Sequence, residues 1–396
     1  MSDESYIVNG FKAGAVAAGI KKQGGLDLAL IFSETEAAAA GVFTTNKVKA
    51  APVILSQESV RRGKARAILA NAGNANACTG QAGLLVARQT AERTARELKV
   101  KPEEVLVAST GVIGAPLNAD LIVSAMPTLV RNLAADGLPT AVQAVMTTDS
   151  FSKMAQFEGV ADGKPFKIAG IAKGAGMIMP DMATMLCFVL TDVSIEVALL
   201  RKALVSAVDR TFNRITVDGD TSTNDTVLIL ANGLAGNGPL DTGDFEGFEK
   251  GLTQVLGQLS TMVVKDGEGA TKVIRIEIKG AASARDADKA ARTVANSTLV
   301  KTAFYGQDAN WGRIMAALGR SGVDMEEAST SIWVDQVKIV DQGVGAGVDR
   351  EKEAAERMKN SEFTLTVDLG RGPHEDRIVT CDLTHEYVSI NATYRT

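Results

Sequence analysis

The chain has 396 residues, 45% hydrophobic and 22% charged, an ordinary soluble composition with apolar material for roughly two to three domains. Its net charge is −5 and no basic tract occurs, which argues against a surface that neutralises nucleic-acid phosphates and suits a cytoplasmic enzyme of small metabolites. Three widely spaced cysteines, Cys78, Cys187 and Cys381, make neither a disulfide framework nor a CxxC metal site, so a reducing compartment is expected.

The opening "MSDESYIVNGFKAGAVAAGI" lacks the basic and apolar regions of a signal peptide, and no apolar run reaches the roughly 18 residues that span a membrane. Apolar runs predict strands at 67–70, 105–108, 166–169, 186–190, 226–230 and 273–278. Helical periodicity predicts helices over 82–100, where Glu92 stands four residues before Arg96, and over 118–133, interrupted by Pro127. Further helices are predicted over 194–212, with Ser194 as N-cap, and over 244–264 and 283–296. The turn "DLGRGPHEDR" joins the last two strand patterns, and "RIVTCDL" and "EYVSINATY" close the chain. Strands do not recur at βαβ spacing and several look like hairpin partners. The expected class is therefore α+β, a layered sandwich of sheets covered by helices, rather than a doubly wound sheet. A composition shift at "KGAASARDADK" places a boundary between a larger domain, 1–279, and a smaller α/β region, 280–396.

Candidate sites are few. Only two histidines occur, His374 and His385, so acid–base work falls to other groups and no His-rich metal site is expected. "AKGAGMIMP" lacks the third glycine of a dinucleotide fingerprint, and reads either as a flexible turn or as backbone approaching a substrate. "VDGDTSTNDT" fails as a calcium loop, because Thr223 and Ile229 stand where Gly and Glu are required; a hydrogen-bonded turn is expected. "STGVIG", between a strand and a helix, is an ordinary turn or a set of N–H groups facing an oxyanion. "MTTD" and "DGEGATK" suit helix capping. Before the 186–190 strand stands Pro180-Asp181-Met182-Ala183-Thr184. Thr184 reads as a β-branched strand opener, or as a nucleophile whose own α-amine is the base once the chain is cut after Ala183. An α-amine titrates near 7.7–8.0, where a general base belongs at neutral pH.

Taken together and in order, "STGVIG", "MTTD", "KGAGMIMPDMATML", "DGEGATK", "NSTLVKTAFYGQDANWGR" and "YVSINATYRT" resemble the ornithine acetyltransferases of arginine biosynthesis, also called bifunctional glutamate N-acetyltransferases. The resemblance covers essentially the whole chain. It implies a self-cleaving, hydrolase-like fold, cut between Ala183 and Thr184 into an α chain, 1–183, and a β chain, 184–396. It implies Thr184 as nucleophile, Thr110 and Gly111 as oxyanion hole, and substrate contacts at Thr147, Lys173, Thr184, Glu268, Asn391 and Thr396. Acetyl would pass from N-acetylornithine to Thr184 and then to glutamate, releasing ornithine and N-acetylglutamate. Simple charge matching sets Lys173 against the shared α-carboxylate and Glu268 against the ornithine ammonium. No metal or cofactor is implied, acetyl-CoA being a co-substrate only in members that also charge glutamate afresh. An α2β2 assembly is implied, with no nucleic-acid or membrane partner. Two rival readings are a self-cleaving aminopeptidase or amidohydrolase using the same threonine, and a binding protein that keeps only the fold.

Overall fold

A computed structural model describes residues 6–179 and 185–393. They fall into two compact units, Met1–Asn213 with Asp220–Val263, and Arg214–Gly219 with Val264–Arg395.

In chain order the strands of the first unit are β1 (Phe11–Val16), β2 (Leu28–Phe43), β3 (Lys64–Asn74), β4 (Val105–Val112), β5 (Lys153–Ala161), β6 (Lys164–Lys173) and β7 (Leu186–Thr191). The short β8 (Ile215–Thr216) belongs to the second unit, and β9 (Thr226–Ala231) returns to the first. They form one mixed sheet in the order β4-β3-β2-β9-β7-β6-β5, with β1 added on β2. β2 is long enough to serve three neighbours: Leu28–Ser33 faces β1 and β3, and beyond an irregularity Ala38–Phe43 faces β9. β7 and β9 are buried at every position, which is why they read as unbroken apolar runs.

Helices cover both faces. They are α1 (Ala51–Val60), α2 (Gly80–Leu98), α3 (Ala119–Arg131), α4 (Leu138–Val145), α5 (Val197–Arg210) and α6 (Thr242–Lys265). The two-residue alternation of a strand sorts the side chains. Leu28, Leu30, Leu69, Val105 and Val107 pack with Ala91 of α2 and with Ile122 and Met126 of α3. Ala29, Ile31, Ile68, Leu106 and Ala108, one residue out of step, pack with Leu138, Ala141 and Val142 of α4. The α+β layering expected from the sequence is what the chain adopts.

The second unit adds β10 (Val273–Ala281), β11 (Ser331–Val334), β12 (Val337–Asp341), β13 (Val344–Gly345), β14 (Glu362–Asp368) and β15 (His374–Cys381), ordered β13-β12-β11-β14-β10-β15-β8. Its helices are α7 (Ala284–Ala295), α8 (Thr298–Tyr305), α9 (Trp311–Gly319), α10 (Val348–Arg357) and α11 (His385–Thr393). Ile274, Ile276 and Ile278 of β10 meet Ala287, Ala290, Ala291 and Val294 of α7, whose small side chains let the helix lie close on the sheet. Ser283, Ser297 and Asn310 cap α7, α8 and α9 by accepting from backbone N–H groups.

Four expectations are corrected. The division falls at 263/264 rather than 279/280, because β10 is an interior strand bonded on both sides, to β14 and β15. Ser194 does not cap α5, which begins at Val197; Asn237 instead bonds both the N–H and the carbonyl of Ser194. α3 runs through Pro127, held by burial of Ile122, Met126 and Leu129. "STGV" is the end of β4 itself, not a turn following it. Residues 385–393, which no predicted element covered, form α11.

Candidate active site

In the first unit the site forms where β4, β6 and the chain after α4 meet. Thr110 and Gly111 end β4 and pair with Ala72 and Gly73 of β3. Gly111 has φ +125°, and a Cβ there would stand 2.4 Å from the Gly73 carbonyl carbon and 2.6 Å from Asn74 N. Only glycine lets the two strand ends approach so closely. Lys173, the last residue of β6, is 3% exposed. Its ammonium donates to Thr110 Oγ1 at 3.2 Å and to Thr147 Oγ1 at 2.9 Å. Three residues 63 and 26 positions apart thus meet around one nitrogen.

Asp149 organises the rest. Its carboxylate accepts from the Thr147 N–H at 2.9 Å, the Gly174 N–H at 2.7 Å and Lys153 Nζ at 2.7 Å, and lies 4.0 Å from Lys173 Nζ. Burial by itself would push this carboxyl up. The Lys173 and Lys153 ammoniums, with the hydrogen bonds from Lys153 and Thr147, outweigh burial and hold it at about 2 instead of 3.8. Lys21 joins the cluster from the other side: its backbone would touch a Cβ placed on Gly73, and its ammonium donates to Leu26 O at 2.7 Å and Ala144 O at 3.2 Å. Burial lowers its pKa, against the pull of Asp27 and Asp149. Lys21, Lys153 and Lys173 thus stand among Asp27 and Asp149, with Asp225 also within electrostatic reach of Lys173.

In the second unit Glu268 is 9% exposed and accepts from Asn391 Nδ2 at 2.7 Å, the same nitrogen donating to Tyr387 O at 3.0 Å. Thr384 Oγ1 bonds Gly269 O at 2.8 Å, fastening the turn that carries Glu268 against the start of α11. The expected residues therefore gather as Thr110, Gly111, Thr147 and Lys173 in one unit, and Glu268 with Asn391 in the other. Ala183, Thr184 and Thr396 lie outside the described residues. The block "NSTLVKTAFYGQDANWGR" has a structural part: Ser297 and Asn310 cap helices, and buried Lys301 bonds Thr380 Oγ1 at 2.9 Å.

Both histidines belong to the second unit, so the Thr110–Lys173 cluster has no imidazole in its own unit. Among the described residues no group of three His, Cys, Asp or Glu side chains is placed to hold a metal ion, and no helix is long and apolar enough to cross a membrane. Sequence reading passed over Lys21, Asp149 and Lys153. The one available signal was Asp149 itself, inside "MTTD".

Fold and site define a two-sheet α+β protein whose first unit gathers buried lysine, hydroxyl and carboxyl side chains. Residues 12–396 match the ArgJ family. The arginine biosynthesis bifunctional protein ArgJ of Geobacter sulfurreducens is 52% identical over 392 residues, which is 98% of this chain and 100% of that protein. The protein of the same name from Desulfotalea psychrophila is 49% identical over 390 residues, 98% of this chain and 99% of its own. Among solved structures, the Bacillus halodurans arginine biosynthesis bifunctional protein argJ shares 41% sequence identity, covering 51% of this chain and 96% of its own, at a TM-score of 0.49. The chain belongs to the ArgJ family.

Proposed function

We propose that this chain is an acyltransferase of arginine biosynthesis that moves the acetyl group of N2-acetylornithine to glutamate through an acetyl-Thr184 ester. The observation that carries the reading is Lys173, buried and bonded at once to Thr110 and Thr147. A cation fixed beside two hydroxyls, in a unit without histidine, suits a substrate carboxylate next to an oxyanion site.

In the precursor, Thr184 Oγ attacks the Ala183 carbonyl and its proton passes to the Thr184 nitrogen as the peptide bond breaks. Water then hydrolyses the ester, freeing the Thr184 hydroxyl and the Ala183 carboxylate. In the mature enzyme Oγ attacks the acetyl carbonyl and the α-amine takes the hydroxyl proton. The Thr110 hydroxyl, which accepts from Lys173, and the Gly111 N–H receive the developing oxyanion. The amine then hands its proton to the departing ornithine nitrogen. The glutamate amine attacks acetyl-Thr184, releasing N-acetylglutamate and restoring the threonine. Lys173 and Thr147 hold the α-carboxylate, and Glu268, oriented by Asn391, takes the ornithine δ-ammonium. Thr396 completes the substrate contacts. The printed "bifunctional" of the relatives supports a second entry, with acetyl-CoA as donor to the same threonine. Assembly is as α2β2, in the cytoplasm.

Intact-mass spectrometry under denaturing conditions tests this, with Thr184→Ala alongside. Species of 1–183 and 184–396 that merge into one in the variant support the self-made nucleophile. A single uncleaved chain with full transfer activity overturns it. Acetyl release that does not depend on glutamate favours the hydrolase instead.

A further inference from the structure

The segment "VDGDTSTNDT" is no calcium loop, and the chemistry above leaves it without a role. Yet Asn224 and Asp225 are 5% and 1% exposed. Asn224 Nδ2 donates to Ala75 O at 2.7 Å and to Ser109 O at 2.8 Å, and its Oδ1 accepts from Thr223 Oγ1 at 2.6 Å. The amide is thus fully engaged. The Ser109 carbonyl belongs to the rigid peptide plane whose N–H is that of Thr110, so Asn224 fixes the tilt of that plane. Asn71 steadies the same residue by accepting from Ser109 Oγ at 2.6 Å.

Asp225 holds a different element. Its Oδ1 accepts from the Met185 N–H at 3.0 Å, and Met185 O accepts from the Thr226 N–H at 3.1 Å. Met185 is the residue directly after Thr184. Asp225 Oδ2 is buried and meets no donor in bonding geometry among the described residues. Burial pushes this carboxyl well above its usual range, against the Met185 hydrogen bond, the Thr44 hydroxyl and the Lys173 charge, which pull it down.

We infer that Asn224 and Asp225 are positioning residues that set the end of β4, with its oxyanion donors, against the residue following the nucleophile. The inference rests on the acetyl-transfer reading above. Adjacent Cα atoms are about 3.8 Å apart, so a shift at one of these elements is passed to the other. Reacting groups displaced by about 1 Å lose on the order of 10²-fold in rate.

The test compares full-length wild type with Asn224→Ala, Asp225→Asn and Asp225→Ala, each checked for folding by circular dichroism. The readouts are cleavage by intact mass and the kcat and KM of glutamate-dependent transfer. Asn224→Ala is expected to lower kcat by roughly 10²–10³-fold while KM stays within about threefold. Asp225→Asn keeps the shape of the side chain and an acceptor for the Met185 N–H, so cleavage and kcat stay within about tenfold of wild type. Asp225→Ala loses both. A folded Asn224→Ala with wild-type kcat, or with its loss confined to KM, overturns the inference. So does an Asp225→Asn as inactive as the alanine variant, which would mean that the carboxyl does more than accept from Met185. Where the alanine variants do not fold, Asp225→Asn decides alone. A wild type that neither cleaves nor transfers removes the underlying reading, and this inference with it, whereas a competent wild type with insensitive variants removes only the inference.

Discussion

Replacing Asp149 by Asn takes one negative charge from the middle of the lysine cluster and changes little in shape. Its side chain and that of Lys153 are both 0% exposed, and their charged atoms are 2.7 Å apart. Removing one partner of a buried ion pair costs about 3–5 kcal/mol, because the other charge stays out of water. The pKa gives a second, independent figure. A carboxyl held at about 2 in the fold and near 3.8 when unfolded contributes roughly 2 kcal/mol at neutral pH. The sign follows from the lowered pKa: this stability is present in full above the unfolded value and is lost as pH falls from about 4 towards 2. The loss in Asp149→Asn at pH 7 should therefore lie at about 2–5 kcal/mol, and the gap to wild type should close by roughly 2 kcal/mol on acidification. Urea unfolding followed by circular dichroism, at pH 7 and at steps below 5, measures both, with the same variant read for kcat and KM. An Asp149→Asn as stable as wild type at pH 7, or a gap that does not change with pH, refutes the account of Asp149 as the anion that holds the cluster together.

Other outcomes are expected. Gly111→Ala must set a Cβ 2.4 Å from Gly73 at φ +125°, so it should melt several degrees lower, at a cost of about 1–3 kcal/mol, and lose on the order of 10²-fold in transfer rate. Thermal scans beside steady-state assays would show this, and a stable, active variant would contradict it. Glu268→Gln keeps the Asn391 bond but not the charge; KM for N-acetylornithine should rise with little change in KM for glutamate. A thiol-reagent titration of native protein should find one fast group, exposed Cys78. Cys187 and Cys381 are buried, burial pushes their thiols up, and they should react only on unfolding.

The sequence was most legible where burial was uniform. β7 and β9 announced themselves as apolar runs, and α7 through its spacing of alanines. β2 was invisible because its middle, Ser33 to Glu36, is polar at the place where the strand changes partners, so no single periodicity spans it. The segment 386–393 carried no clear helical signal. Val388 and Ile390 suit a strand, but Val388 is 64% exposed on a helix, so packing does not set its conformation. At the site, residue types could be read and their neighbours could not. Nothing near Lys173 in the chain names Thr110 as its partner, and nothing in "TNDT" says that adjacent side chains reach two different strands. Charge makes the same point from the other end. A total of −5 argues against a nucleic-acid surface, yet it describes a sum over surface and core alike. Around Lys173 the local balance sets Lys21, Lys153 and Lys173 among Asp27 and Asp149, residues up to 152 positions apart in sequence. Such gathering is invisible in a net charge. The fold performs it by letting Lys173, at the end of β6, reach Thr110 near the end of β4, with the loop that carries Asp149 bonded to the residue after Lys173.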